Sequence, residues 1–105
     1  VKLHPLSEWA DDALFLAGNA EFSLAHNRTK AVEYWRTILE RHEGSEHLER
    51  SAYYIGVALE LEKKWEEARL AYDDAKQRFP DSAFNTLIDK HLKKVNNELS
   101  RPKPR

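Results

Sequence analysis

Apolar positions along the chain recur at helical spacing in five blocks, with short polar punctuation between them. Ser7 stands as an N-cap before "EWADDALFLAGNAEFSLA", whose acidic residues fall in the first turn, where the helix dipole favours them. "HNR" at 26–28 turns the chain. Over 29–42, Val32, Trp35, Ile38 and Leu39 share one face, the period of an amphipathic helix. Gly44 and Ser45 break and restart the chain, and a third helix is expected over 46–62. "KKW" turns it into a fourth over 66–79, with Ala68, Ala71, Tyr72, Ala75 and Phe79 inward. Pro80 ends that helix and Asp81 or Ser82 caps a fifth. Its stripe of Phe84, Leu87, Ile88, Leu92, Val95 and Leu99 faces away from a Lys-rich side. A terminal helix of that design covers the last apolar face of a stack and shows water its other side.

The punctuation repeats. "HPLSEWADDALFLAG" (4–18) laid over "HEGSEHLERSAYYIG" (42–56), at an offset of 38, aligns His, Ser, Glu and the final Gly, and sets Phe15 on Tyr53. An offset of 37 sets Ser45 on Ser82, His47 on Phe84, Ala31 on Ala68 and Trp35 on Tyr72. A unit of turn, helix, turn and helix written twice and then capped is a helical repeat.

Composition narrows this to one all-α domain. The chain has 105 residues, with 33% charged and 41% hydrophobic residues and only three Gly and four Pro, so there is little material for hairpins of strands. A net charge of −1 provides no global field for nucleic acid. The local exception is the end of the chain, where Lys90, Lys93 and Lys94 begin a basic run that closes on "RPKPR". That run reads first as a solvated, disordered tail over 100–105 and otherwise as a docking patch for an anionic partner. With no cysteine, disulfides and thiolate chemistry are excluded. No apolar run approaches the ~20 residues that span a bilayer, so direct membrane insertion is not expected. The chain opens at Val1 and holds no Met, which implies a processed product or a piece of a longer parent.

Residues 49–82 resemble a tetratricopeptide repeat. Ile55 and Gly56 match its Leu-Gly pair, Ala68 its small residue, and Tyr72, Ala75 and Pro80 its aromatic, Ala and Pro. Residues 11–44 resemble a degenerate copy, with Gly18, Ala31, Trp35 and Ile38 in place, a turn one residue longer, Glu43 for the proline and Glu21 at a large aromatic position. The resemblance implies a right-handed α-solenoid of two hairpins (about 7–44 and 45–80) and a capping helix (about 82–99). The "P-x-S-x-aromatic" joint and "ADDALFLAG" look most like repeats of bacterial cell-envelope proteins. A periplasmic or envelope-associated location is implied, with the cytoplasm as the alternative.

Catalytic chemistry finds no foothold. His42 and His47 with Glu43 resemble a zinc helix motif, but a spacing of five turns them ~140° apart where the motif needs four. They read as solvated histidines at a joint. The acid pairs Asp11–Asp12, Glu66–Glu67 and Asp73–Asp74 point ~100° apart on a helix and are not expected to share a site. No phosphate loop, metal set or cofactor motif is present, and Ser7, Ser45 and Ser82 fall where caps are needed.

The family resemblance instead implies a protein or peptide partner held in a groove lined by the first helices of the hairpins. The groove positions are Asp12, Phe15, Asn19 and Phe22 from the first hairpin and Arg50, Tyr53, Val57 and Glu60 from the second. Phe15 and Tyr53 are either anchors in that groove or core. Asn19 matches the Asn of a carboxylate clamp, but Phe15 and Tyr53 stand where its Lys is needed, so no clamp is expected. The competing reading is a spacer or self-assembly module, since two repeats and a cap fall below the ~3 repeats of comfortable stability. Self-association would run through the uncapped first hairpin, where Trp9, Leu14 and Phe15 would otherwise meet water.

Overall fold

The computed structural model describes residues 10–24 and 26–101. Among them are five helices and no strand: α1 (Asp11–Ser23), α2 (Arg28–Arg41), α3 (Leu48–Leu61), α4 (Trp65–Arg78) and α5 (Asn85–Ser100). Each helix packs on the next in chain order, and α5 also touches α3. The result is an all-α helical-repeat solenoid of two hairpins and a fifth helix, measuring 51 × 34 × 19 Å.

The helix ends follow from particular residues. Asn27 caps α2 by accepting from the Lys30 N–H at 3.1 Å. Gly44, at φ +84°, makes the left-handed turn out of α2. A Cβ there would meet nothing within 4 Å, so the backbone angle and not crowding is what calls for glycine. The Ser7 cap and Trp9 lie outside the described residues; α1 begins after Ala10 without a side-chain cap.

The repeated punctuation folds into repeated hydrogen bonds. Ser45 N–H donates to the His42 carbonyl and its Oγ accepts from the His47 N–H at 3.0 Å. At the next joint Ser82 N–H donates to the Phe79 carbonyl and its Oγ accepts from the Phe84 N–H at 3.1 Å. Each serine therefore caps the turn leading into its helix, which starts three residues on at Leu48 or Asn85. The ring that follows each serine then stacks on the preceding hairpin. His47 lies 4.2 Å from Phe15 with the planes 8° apart, and Phe84 lies 5.2 Å from Tyr53.

Inside each hairpin a glycine of the first helix faces an aromatic of the second. A Cβ on Gly18 would fall within 3.0 Å of Trp35 Nε1, Cδ1 and Cε2, and one on Gly56 would overlap Tyr72 in the same way. Trp35 and Tyr72 are fully buried. Around them close Leu14, Ile38, Ile55, Ala68 and Ala75, and α5 adds Ile88 and Val95.

The apolar stripes are narrower than the sequence suggests. Leu92 on α5 and Phe84 just before it are half-buried, while Leu87 and Leu99 remain 42% and 38% exposed. The helix meets the stack along the Ile88–Val95 line, and residues at the edges of its stripe rotate past the contact. On the first hairpin, Leu14 and Phe15 are buried by α2 and by His47, contrary to the expectation that they meet water. The large exposed apolar residues of this segment are Leu16 on α1 and Leu24 just beyond its end, at 66% and 81%.

Substituting Leu for Gly56 is expected to unfold the second hairpin, because the ring it would overlap is buried and cannot swing aside. Ala at the same place should cost about 1–3 kcal/mol of overpacking, less the ~1 kcal/mol that Ala gains over Gly in a helix. Urea unfolding followed by circular dichroism distinguishes these outcomes from the neutral result of an open glycine site.

Candidate functional site

Between α1 and α3, with α2 behind them, opens a depression of about 430 Å³ lined by Asn19, Phe22, Ser23, Trp35, Tyr53, Tyr54 and Val57. It contains no charged side chain. Two helices that each pack on α2 leave this space because the fully buried Trp35 holds them apart as a floor. Phe22 tilts against Trp35 at 5.7 Å between ring centroids, Tyr54 packs on its other side at 5.3 Å, and Tyr53 adjoins Tyr54 at 5.9 Å. Four of the eight groove positions expected from the sequence, Asn19, Phe22, Tyr53 and Val57, meet here. Trp35, Tyr54 and Ser23 were not expected. Trp35 reads as core from its period, and Tyr54 is masked by its neighbour in the "YY" pair.

The other four positions lie elsewhere. Phe15 is only 7% exposed, sandwiched by His47 and Tyr54, so it is part of the core and not an open anchor. Arg50 is exposed over the Phe84 ring, 6.0 Å from its centroid. Asp12 sits at the joint, its Oδ1 2.6 Å from His47 Nε2. Glu60 turns inward and is 6% exposed. Its Oε1 accepts from the Tyr72 hydroxyl at 2.9 Å and meets His91 Nδ1 at 2.8 Å, and Lys94 Nζ stands 3.4 Å from Oε2. A buried carboxylate is retained only when so partnered. His91 Nε2 continues the chain to the Tyr53 hydroxyl at 3.1 Å. Glu60 is thus linked through His91 to Tyr53, which lines the depression. Its i+3 and i+4 spacing gives no hint of this, because the partner is 31 residues away.

Burial, the hydrogen bond to Glu60 and the repulsion of its charge together push the Tyr72 hydroxyl far above its usual range. Burial and then Glu60 also raise Tyr53. Both hydroxyls therefore stay protonated and can donate. Of the α5 lysines, Lys94 is committed to Glu60, while Lys90 and Lys93 are exposed.

Two expectations about the joint need correction. His42 and His47 are not simply solvated: His42 Nε2 is buried, and His47 is stacked and bonded. Asp11 and Asp12 do share a site, since ligating atoms of Asp11, Asp12 and His47 all lie within 4.8 Å of one another. Adjacent helical residues diverge at Cβ, but His47 projects from the next hairpin into the angle between them.

Residues 50–82 match the Tetratricopeptide repeat family profile, a span that takes in most of α3, all of α4 and the start of the joint beyond it. That match supports a protein–protein interaction module of a typically non-catalytic kind. No curated protein and no solved structure matches the chain. Among the described residues no helix is long and apolar enough to cross a membrane.

The raised tyrosines carry a pH dependence. A group whose pKa is higher folded than unfolded contributes stability that is complete below its unfolded value and fades above it. Stability should therefore fall above about pH 10, the ordinary tyrosine value. Tyr72→Phe should flatten that alkaline loss and cost about 1 kcal/mol at pH 7, where Glu60 loses a donor. Thermal melts of parent and variant between pH 7 and 11 check both statements.

Proposed function

We propose that the chain is a non-catalytic adaptor that holds a peptide or a partner's helix in the depression between α1 and α3, taken as the concave groove expected of the repeat. The observation that carries this is the convergence of Asn19, Phe22, Tyr53 and Val57 on one uncharged, aromatic-walled hollow. Open aromatic surface is the kind that dominates binding energy at protein interfaces. Asn19 adds an amide that can both donate to and accept from a partner backbone. Lys90 and Lys93 offer positive charge to an acidic flank of the same partner. The compartment proposed with this reading is the bacterial cell envelope, on the likeness of the joint motif alone.

Asn19→Ala and Phe22→Ala should each lower capture of the partner at least about tenfold while leaving the circular dichroism spectrum unchanged, the size of an interface hot spot. Leu70→Ala, on the opposite side between α2 and α4, should leave capture intact. Equal capture by all three variants would remove the depression from the account. Tyr53→Ala should keep the helical spectrum but melt earlier, because the ring also stacks on Phe84 and bonds His91.

The second reading, a spacer or self-assembly module, is favoured by one feature. Ala13, Leu16, Ala20 and Leu24 form an exposed, uncharged stripe along α1 and just beyond its end. If this stripe pairs copies of the chain, light scattering across a concentration series should show mass rising above one chain. Leu16→Lys should return it to one chain.

A further inference from the structure

The joint between the hairpins gathers more chemistry than a cap requires. His47 Nε2 lies 2.6 Å from Asp12 Oδ1 and 3.9 Å from Glu46 Oε1, and Asp11 completes a group whose ligating atoms lie within 4.8 Å of one another. We propose that Asp11, Asp12 and His47 form a binding site for a divalent first-row metal ion of the zinc class, which ties α1 to the start of α3. One imidazole with two carboxylates is a mixed nitrogen–oxygen donor set that such ions accept, with water filling the remaining positions.

The supporting contacts are those a metal site needs. The His47 ring is held flat on Phe15, 8° from parallel, so its Nε2 direction is fixed. Ser45 Oγ donates to Asp11 Oδ2 at 2.5 Å, which orients that carboxylate and leaves its other oxygen available. Outer contacts of this kind orient ligands and tune affinity. The Asp12 side chain is 70% exposed and gives the ion a path from water. Two carboxylates outweigh the ~+0.5 charge of the α1 N-terminus, so the site favours a cation. In the metal-bound state the ion takes the place of the proton that Nε2 and Asp12 otherwise share. Glu46, 81% exposed on its side chain, is within reach as a fourth ligand. Asp12 and His47 are 35 residues apart, so the unfolded chain offers no comparable site and binding stabilises the folded joint.

The test is calorimetric titration of the metal-free 105-residue chain with zinc chloride, with the His47 ring proton resonances followed in parallel. One equivalent should bind with a dissociation constant on the order of micromolar, shift the His47 resonances and raise the melting temperature. Asp12→Asn, which keeps the size of the side chain and one hydrogen-bonding oxygen, should weaken binding at least about tenfold and abolish the zinc-dependent rise in melting temperature. His47→Gln should do the same, and His42→Gln and His91→Gln should not. Absence of saturable binding up to about 1 mM overturns the proposal. So does an affinity unchanged in Asp12→Asn, or binding lost with His42 or His91 in place of His47.

Discussion

Everything else in this molecule depends on two close approaches, Gly18 to Trp35 and Gly56 to Tyr72. Each lets the helices of a hairpin meet at ring thickness, with a buried aromatic where a side chain on the facing helix would otherwise stand. Interiors packed to crystal density do not absorb an added methyl at such a point without moving a ring. Hairpin geometry then fixes where the next hairpin can lie. The rings that follow Ser45 and Ser82 dock on Phe15 and Tyr53, so the same joint is made twice from the same parts. In the first hairpin the tryptophan is also the floor of the depression between α1 and α3, so one contact sets both the fold and the candidate site.

The two hairpins differ in what they add to that contact. The second replaces Trp35 with Tyr72, whose hydroxyl reaches Glu60, and Glu60 reaches His91 on α5. Helix α5 is therefore held by an apolar seam, Ile88 and Val95, and by a buried polar chain at its edge. That chain ends on Tyr53, whose ring adjoins the depression, so the docking of α5 and the shape of the site are mechanically connected. At the joint of the first hairpin, besides the packing of α2 on α3, polar contacts link Asp11 with Ser45 and Asp12 with His47.

The fold was legible in the sequence because its main signals are periodic. The apolar stripe of 29–42, the glycines 38 residues apart and the recurrent serine joints each place an element without reference to distant residues. Helix ends came within about two residues where Asn27, Gly44 or Pro80 mark them. The site was only half legible. Asn19, Phe22, Tyr53 and Val57 could be placed on helix faces by spacing, but Phe15 lies on the same face and is buried, because a stacking ring comes from the following hairpin. Glu60 fails for the same reason, since its partners Tyr72 and His91 belong to other helices. Asp11 and Asp12 were separated by a rule about one helix that says nothing of a third residue entering between them. Spacing along a helix reports which residues share a face; whether that face is open or covered is decided by residues of other helices, here 12 to 35 positions away.

The most direct test of this account is a double-mutant cycle in the first hairpin, combining Gly18→Ala with Trp35→Leu and measuring unfolding free energy by urea titration. Trp35 suits the cycle because its Nε1 makes no hydrogen bond that the substitution would also remove. If the ring-to-backbone approach is the governing constraint, Gly18→Ala destabilises the parent but is neutral or stabilising once the indole is gone. The coupling should then be on the order of 1–3 kcal/mol. Additive effects, within about 0.5 kcal/mol, would show that the glycine and the ring do not confront each other and would contradict the account.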